Sequence, residues 1–126
     1  MAHILVVDDE PPLRRAIALA LERAGHSVVR CENGKRAVQY LTYDEANLLI
    51  TDILMPEMDG VETVRAVRRL KPELPILAMS GALPDPNAYL GLARFFGATT
   101  LLVKPFQTGE LVEIAERLLA ESSPVR

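Results

Sequence analysis

Five polar side chains in this chain follow short apolar runs, and their types suit the chemistry of phosphoryl groups. A pair of carboxylates follows the first run, a single carboxylate the third, a hydroxyl the fourth and an ammonium group the fifth. In chain order these residues are Asp8, Asp9, Asp52, Ser80 and Lys104. A carboxylate can act as a nucleophile and hold a phosphoryl group covalently. The combination therefore favours phosphoryl transfer to an aspartate, with Asp52 as the acceptor, Lys104 as a second positive charge and Ser80 as a hydrogen-bond donor.

Three carboxylates at one place would repel each other strongly. Two unit charges ~4 Å apart interact by about 4 kcal/mol at an effective dielectric constant near 20. Either some of these groups stay protonated or a cation lies among them. Mg²⁺ suits an all-oxygen site with room for water, because it uses one or two carboxylates and keeps several water ligands. We expect such an ion to neutralise the oxygens of an incoming phosphoryl group.

Each of these residues, taken alone, has an ordinary structural explanation. A pair of aspartates after a strand often caps a helix, and a lone aspartate before a turn is usually a turn residue. A single serine or lysine at the end of a strand carries almost no information. Their joint appearance, with one set after each central strand, is what favours a common site.

Hydrophobic periodicity predicts the elements that bring these residues together. Five short apolar runs alternate with stretches of helical spacing. The predicted strands are 3–7, 27–31, 48–51, 75–79 and 99–103. The strand at 27–31 is more polar than the others, so we place it at an edge of the sheet. The first predicted helix has one apolar stripe, made of Leu13, Ala16, Ile17, Ala20, Leu21 and Ala24.

This alternation of strands and helices implies right-handed crossovers and a parallel sheet covered on both faces. Ligands of open α/β sheets bind beyond the carboxyl ends of the strands, where the strand order reverses. All five polar side chains are therefore expected at that rim of the sheet.

The composition fits one domain that needs no disulfide to fold. The chain has 126 residues, one cysteine and a formal net charge of −3. A single cysteine and the lack of a signal-peptide pattern favour a reducing, cytoplasmic location. The negative charge argues against direct binding of nucleic acid, and no apolar run is long enough for a membrane helix. We expect one domain over residues 1–121, followed by a frayed tail or the start of a linker at 122–126.

Four motifs resemble those of a known family, and each falls at the end of a predicted strand. They are Leu5-Val6-Val7-Asp8-Asp9-Glu10, the run from Asp52 to Gly60, Met79-Ser80-Gly81 and Val103-Lys104-Pro105-Phe106. In these the chain resembles the receiver domain of two-component response regulators, of the single-domain, chemotaxis-regulator-like kind. The resemblance implies a flavodoxin-like (βα)5 doubly wound sandwich with a five-stranded parallel sheet in the order 2-1-3-4-5.

The resemblance also implies roles for the site residues and partners for the chain. Asp52 would accept a phosphoryl group from a phosphohistidine on a sensor histidine kinase or a phosphotransfer protein. Asp9, Asp52 and the backbone carbonyl of Leu54 would bind Mg²⁺, or Mn²⁺ in its place, with Asp8 assisting through water. Ser80 and Lys104 would contact the phosphoryl oxygens, and the Lys104–Pro105 bond would be cis. A downstream protein target or an output domain would receive the signal, and the domain would catalyse its own phosphorylation without being a classical enzyme.

One position departs from the family pattern, and two others bear on the lifetime of the phosphoryl group. The family often has an aromatic residue three positions before the lysine of the fifth strand, but this chain has Leu101 there. We expect the phosphorylation response in the loop at 81–87 and the predicted helix at 88–96, driven by Ser80 instead of an aromatic switch. Leu54 and Ala82 stand where a polar residue could orient an attacking water, so we expect slow hydrolysis of the aspartyl phosphate.

Three other functions fit the sequence less well. A phosphatase of the haloacid dehalogenase type has a second aspartate two residues after its nucleophile, where this chain has Leu54. A flavodoxin needs a phosphate-binding loop after the first strand, where this chain has an acidic run. A degenerate receiver that acts as an unphosphorylated protein-interaction module stays open as the alternative.

Overall fold

A computed structural model of the chain describes residues 2–53, 60–81 and 97–122. The strands are β1 (His3–Val7), β2 (Ser27–Cys31), β3 (Leu48–Asp52), β4 (Ile76–Ser80) and β5 (Thr100–Val103). The helices among the described residues are α1 (Pro11–Arg23), α2 (Gly34–Tyr43), α3 (Gly60–Leu70) and α4 (Thr108–Ser122). All five predicted strands are confirmed, with ends that differ by at most one residue. The helix predicted at 88–96, most of the loop before it and residues 123–126 of the predicted tail lie outside the described residues.

The strands form one parallel sheet in the order β2-β1-β3-β4-β5. Both the predicted order and the edge position of β2 are confirmed. The central strands are buried along almost their whole length because helices cover both faces of the sheet. Alternate residues of β1 enter opposite halves of the core: Leu5 packs on the side of α2 and α3, and Ile4 packs on the side of α1 and α4.

The predicted apolar stripe of α1 is partly wrong. The buried residues of this helix are Ile17, Ala18 and Leu21, whereas Ala16 and Ala24 are exposed. Ile17 and Leu21 have the larger apolar side chains, so their burial decides which face of the helix meets the sheet. A single methyl group contributes little, and alanine is therefore a poor guide to the edges of the buried face.

Among the residues that the structure describes, no helix has the length and apolar character needed to cross a bilayer.

Candidate functional site

The carboxyl ends of four neighbouring strands form one rim, and the sequence-predicted residues lie along it. Asp8 directly follows β1, Asp52 and Ser80 are the last residues of β3 and β4, and Lys104 directly follows β5. Parallel pairing aligns these ends, since Asp52 is the register partner of Met79 and Ser80 that of Val103. Residues far apart in the chain therefore meet at one edge of the sheet.

Lys104 connects three carboxylates at this rim. Its Nζ lies 2.7 Å from Asp52 Oδ2, 3.2 Å from Asp8 Oδ2 and 3.2 Å from Glu10 Oε1. The Asp52 and Asp8 side chains are almost fully buried, whereas the Glu10 side chain is 62% exposed. The positive charge of one ammonium group thus offsets part of the negative charge of two buried carboxylates, which solvent screens poorly.

The directions of two pKa shifts indicate that the rim favours positive charge. Burial alone would lower the pKa of Lys104, but the hydrogen bond to Asp52 and the charges of Asp52 and Asp8 outweigh burial and raise it. Lys104 therefore stays charged at neutral pH. Burial raises the pKa of Asp8, and a 2.8 Å hydrogen bond from the backbone N–H of Glu10 and the charge of Lys104 offset only part of that rise. Asp8 would be ionised more easily if a further cation were close to it.

The acidic side chains of the rim fit a divalent cation. Asp8, Asp9, Glu10 and Asp52 each offer a carboxylate oxygen, and these oxygens all lie within 4.8 Å of one another. An all-oxygen donor set suits a hard ion such as Mg²⁺. Asp9 and Glu10 are exposed, so the cluster is open to solvent on one side and leaves room for water ligands. The Leu54 carbonyl, expected to be a further ligand, lies outside the described residues.

Two residues of the rim were not singled out from the sequence. Glu10 occupies the N-cap position of α1, but its side chain makes no capping hydrogen bond and contacts Lys104 instead. Arg14, one turn into α1, donates from Nη1 to the backbone carbonyl of Asp8 at 2.7 Å. The acidic run that ends at Glu10 was a visible signal, whereas nothing local in the sequence pointed to Arg14.

Ser80 supplies a hydroxyl that the described structure leaves unused. The residue is fully buried, and its Oγ has no hydrogen-bond partner among the described residues. A buried polar group without a partner costs about 1–3 kcal/mol, and such groups often have a functional role. The backbone of Ser80 is held in place, since its carbonyl accepts a 2.6 Å hydrogen bond from the N–H of Lys104. Its hydroxyl is therefore a candidate donor for a ligand at the rim.

Gly60 lets α3 begin directly against the end of β3. A Cβ at this position would lie 2.0 Å from the carbonyl oxygen of Asp52 and 2.2 Å from the Cα of Ile53. The N–H of Gly60 donates to the carbonyl of Ile53 at 2.7 Å. The backbone that carries Asp52 is thus packed against a residue that can have no side chain.

The structure describes two positions in or next to β5 that the sequence had singled out. The Lys104–Pro105 bond is cis, as the resemblance implied. Leu101, at the position where the family often has an aromatic residue, is partly buried and packs against the half of the core next to α2 and α3.

A family model and individual relatives assign the chain to the same family. A family model described as "Response regulator receiver domain" matches residues 4–116. The response regulator receiver protein CpdR of Brucella abortus is 37% identical, and the match covers 94% of this chain and 98% of that protein. The transcriptional regulatory protein GlrR of Escherichia coli is 32% identical over 98% of this chain, which spans only 27% of that protein. Some curated relatives are thus several times longer than this chain.

Solved structures agree with this similarity. The chemotaxis protein CheY4 of Vibrio cholerae superposes with a TM-score of 0.85 at 32% identity, covering 94% of this chain and 98% of that one. A Francisella response regulator receiver domain superposes with a TM-score of 0.88, and its 23% identity supports the fold alone. The family match begins in β1 and ends within α4, so it includes every strand end of the rim.

Proposed function

Since the chain belongs to the receiver-domain family of two-component response regulators, we propose that Asp52 is its phosphoryl acceptor. The observation that carries this proposal is the contact of Lys104 Nζ with Asp52 Oδ2 at 2.7 Å, inside a cluster of four acidic side chains. Receiver domains interact with histidine kinases and output domains. The donor proposed here is a phosphohistidine on a sensor histidine kinase or a phosphotransfer protein.

In the proposed reaction a carboxylate oxygen of Asp52 attacks the phosphorus of the donor. An O–P bond forms, the N–P bond of the phosphohistidine breaks, and the imidazole leaves with the electron pair of that bond. Lys104 already lies against Asp52, so its ammonium group can follow the phosphoryl oxygens with a small movement. Its charge, held by the raised pKa, offsets the negative charge that arrives with the phosphoryl group.

Receiver domains use a metal ion at an acidic site, and the four carboxylates of the rim fit such an ion. We propose Mg²⁺, with Mn²⁺ as a substitute, held by Asp9, Asp52 and the carbonyl of Leu54, with Asp8 assisting through water. When bound, the ion would supply positive charge that offsets the negative charge of the phosphoryl oxygens. Glu10, the fourth carboxylate of the described cluster, would keep its contact with Lys104.

The response to phosphorylation is proposed to begin at Ser80. Its buried hydroxyl lacks a partner in the part of the chain that the structure describes, and a phosphoryl oxygen on Asp52 would offer one. Movement of Ser80 would pull on Gly81 and on the loop at 81–87, and so bias the predicted helix at 88–96 between two arrangements. This segment would form the surface for a downstream protein target or an output domain. Residues 1–121 are proposed as the receiver domain.

Mass spectrometry after incubation with acetyl phosphate and Mg²⁺ tests the acceptor. The wild-type chain should gain one phosphoryl group, and chelation of the metal should prevent the gain. Asp52→Asn should remove it, whereas Asp44→Asn should keep it, because Asp44 is an exposed aspartate at the end of α2. Equal labelling of Asp52→Asn and wild type would refute the assignment. Failure of the wild type to gain a phosphoryl group would favour the unphosphorylated interaction module.

Amide hydrogen exchange with and without a phosphoryl mimic tests the response. Protection should change in residues 81–97, and Ser80→Ala should reduce that change while leaving phosphorylation of Asp52 detectable. No difference in that segment would refute the proposed switch without affecting the acceptor assignment.

A further inference from the structure

A groove rich in arginine lies beside the acidic rim, at the end of the edge strand β2. It has a volume of about 730 Å³ and lies between the start of α1 and the first turns of α2. None of the rim carboxylates and not Lys104 lines it. Its basic lining residues are Arg14, Arg15, Arg30 and Arg36. The groove therefore adjoins the proposed phosphoryl site at Arg14 but is opposite to it in charge.

The positive charge in this groove is concentrated well beyond what the composition suggests. The chain has a formal net charge of −3, yet four of its 14 lysines and arginines line one groove, with Glu32 as the acidic lining residue. The positive charges also act on Cys31, a buried residue that lines the groove. Burial raises the pKa of Cys31 to about 11, and the charges of Arg14 and Arg36 act against that rise. The guanidinium groups of Arg14 on α1 and Arg36 on α2 thus both act on the thiol of Cys31.

Internal partners leave three of these arginines largely available, whereas Arg14 already donates from Nη1 to the backbone carbonyl of Asp8. Arg30 lies 3.4 Å from Glu22 and Arg36 lies 3.8 Å from Glu32, and all four side chains are more than 40% exposed. Exposed ion pairs of this kind contribute little to stability, so a stronger anion can displace them. Arg15 has no ion pair among the described residues.

We propose that this groove binds a small ligand that carries a diphosphate, of the size of a nucleoside diphosphate. Arginine binds phosphate through two parallel N–H donors, and the guanidinium groups of Arg15, Arg30 and Arg36 together offer enough donors for the oxygens of two phosphates. The volume falls within the range of small-molecule sites. Tyr40 also lines the groove, and its hydroxyl is hydrogen-bonded to His3 Nε2, so the ring is held in place to stack on a planar group. This role goes beyond phosphorylation of Asp52 and does not depend on it.

A two-dimensional NMR titration with inorganic pyrophosphate, in the absence of divalent metal, tests this proposal. Without metal the acidic rim repels the probe, whereas the groove attracts it. Saturable shifts are expected for the amides of residues 30–32 and 36, with affinity that falls as salt rises. ADP and adenosine are then titrated separately. Tighter binding of ADP than of pyrophosphate supports a nucleotide as ligand, equal binding supports another diphosphate source, and adenosine alone should not bind.

The double variant Arg15→Gln/Arg36→Gln should weaken pyrophosphate binding by about tenfold or more, because it removes two charge-assisted contacts. Arg15 is exposed, and the Arg36 side chain makes only a long ion pair among the described residues, so the fold should persist, as circular dichroism would verify. Arg117→Gln, an exposed substitution on α4, is the matched control and should bind as wild type. The proposal is overturned if groove amides show no saturable shift at millimolar probe, if adenosine binds as well as ADP, or if the double variant binds as tightly as the control.

Discussion

Replacing Gly60 with alanine tests how tightly the Asp52 backbone is packed. The added Cβ would lie 2.0 Å from the carbonyl oxygen of Asp52 and 2.2 Å from the Cα of Ile53. Favourable contacts between carbon atoms occur at about 3.5–4.0 Å, so α3 and the end of β3 must move apart by more than 1 Å. Both contacting atoms belong to the backbone, and no change of side-chain rotamer can relieve the clash.

The expected loss of stability is about 3 kcal/mol. Overpacking in a buried position costs typically 1–3 kcal/mol, and a backbone clash belongs at the upper end of that range. Separation also weakens the 2.7 Å hydrogen bond from the N–H of Gly60 to the carbonyl of Ile53, which contributes about 1 kcal/mol. Alanine recovers about 0.5–1 kcal/mol by restricting the unfolded chain. A loss of this size corresponds to a fall in Tm of roughly 10 °C.

Urea denaturation of wild type and two glycine variants provides the measurement. Gly109→Ala is the matched control, because a Cβ there meets nothing within 4 Å and the residue lies in the first turn of α4. The control should be more stable than wild type by about 0.5–1 kcal/mol. Phosphorylation of Asp52 should also slow in Gly60→Ala. A Gly60→Ala variant within about 1 kcal/mol of wild type would refute the reasoning, since it would mean that the contact relaxes cheaply.

Three further predictions concern the hydrogen bonds made by Arg68, the buried thiol of Cys31 and the lifetime of the aspartyl phosphate. Arg68→Lys should lower the free energy of unfolding in urea by about 2 kcal/mol, because the guanidinium donates to the carbonyl of Gly97 and to two carbonyls just beyond α3. Burial raises the pKa of Cys31 from 9.0 to about 11, so the folded state keeps a proton that the unfolded state loses. Between those pH values the free energy of unfolding of wild type should therefore fall by about 1.4 kcal/mol per pH unit relative to that of Cys31→Ala. Leu54→Asn should speed the decay of the aspartyl phosphate, because an amide can orient water and leucine cannot.

Each of these predictions has a simple contradiction. A loss in Arg68→Lys no larger than that in Arg69→Lys, an exposed position in the same helix, would mean that the fork of hydrogen bonds contributes little. Parallel stability curves for wild type and Cys31→Ala from pH 9 to 11 would exclude a raised pKa for the thiol. An aspartyl phosphate that decays no faster in Leu54→Asn than in wild type would remove the leucine from the control of its lifetime.

Much of the fold could be predicted because its signals are local. The strand positions, the strand order and the edge position of β2 follow from short apolar runs, from the more polar run at 27–31 and from family motifs, and the structure confirms them. The buried face of α1 was predicted less well, because several alanines share the helix with Ile17 and Leu21. Small side chains change little in energy between buried and exposed positions, so their placement follows from the packing of larger neighbours.

The sequence by itself determined which chemical groups stand at the strand ends, since a strand end and the residue after it are adjacent in the chain. Only the tertiary structure decided which of those groups touch. Lys104 reaches Glu10 across 94 positions of sequence, and Arg14 joins Arg36 at a groove between two helices. Such contacts depend on strand register and on the orientation of helices against the sheet. Both arise from packing of the whole core, and no local pattern of residues contains them.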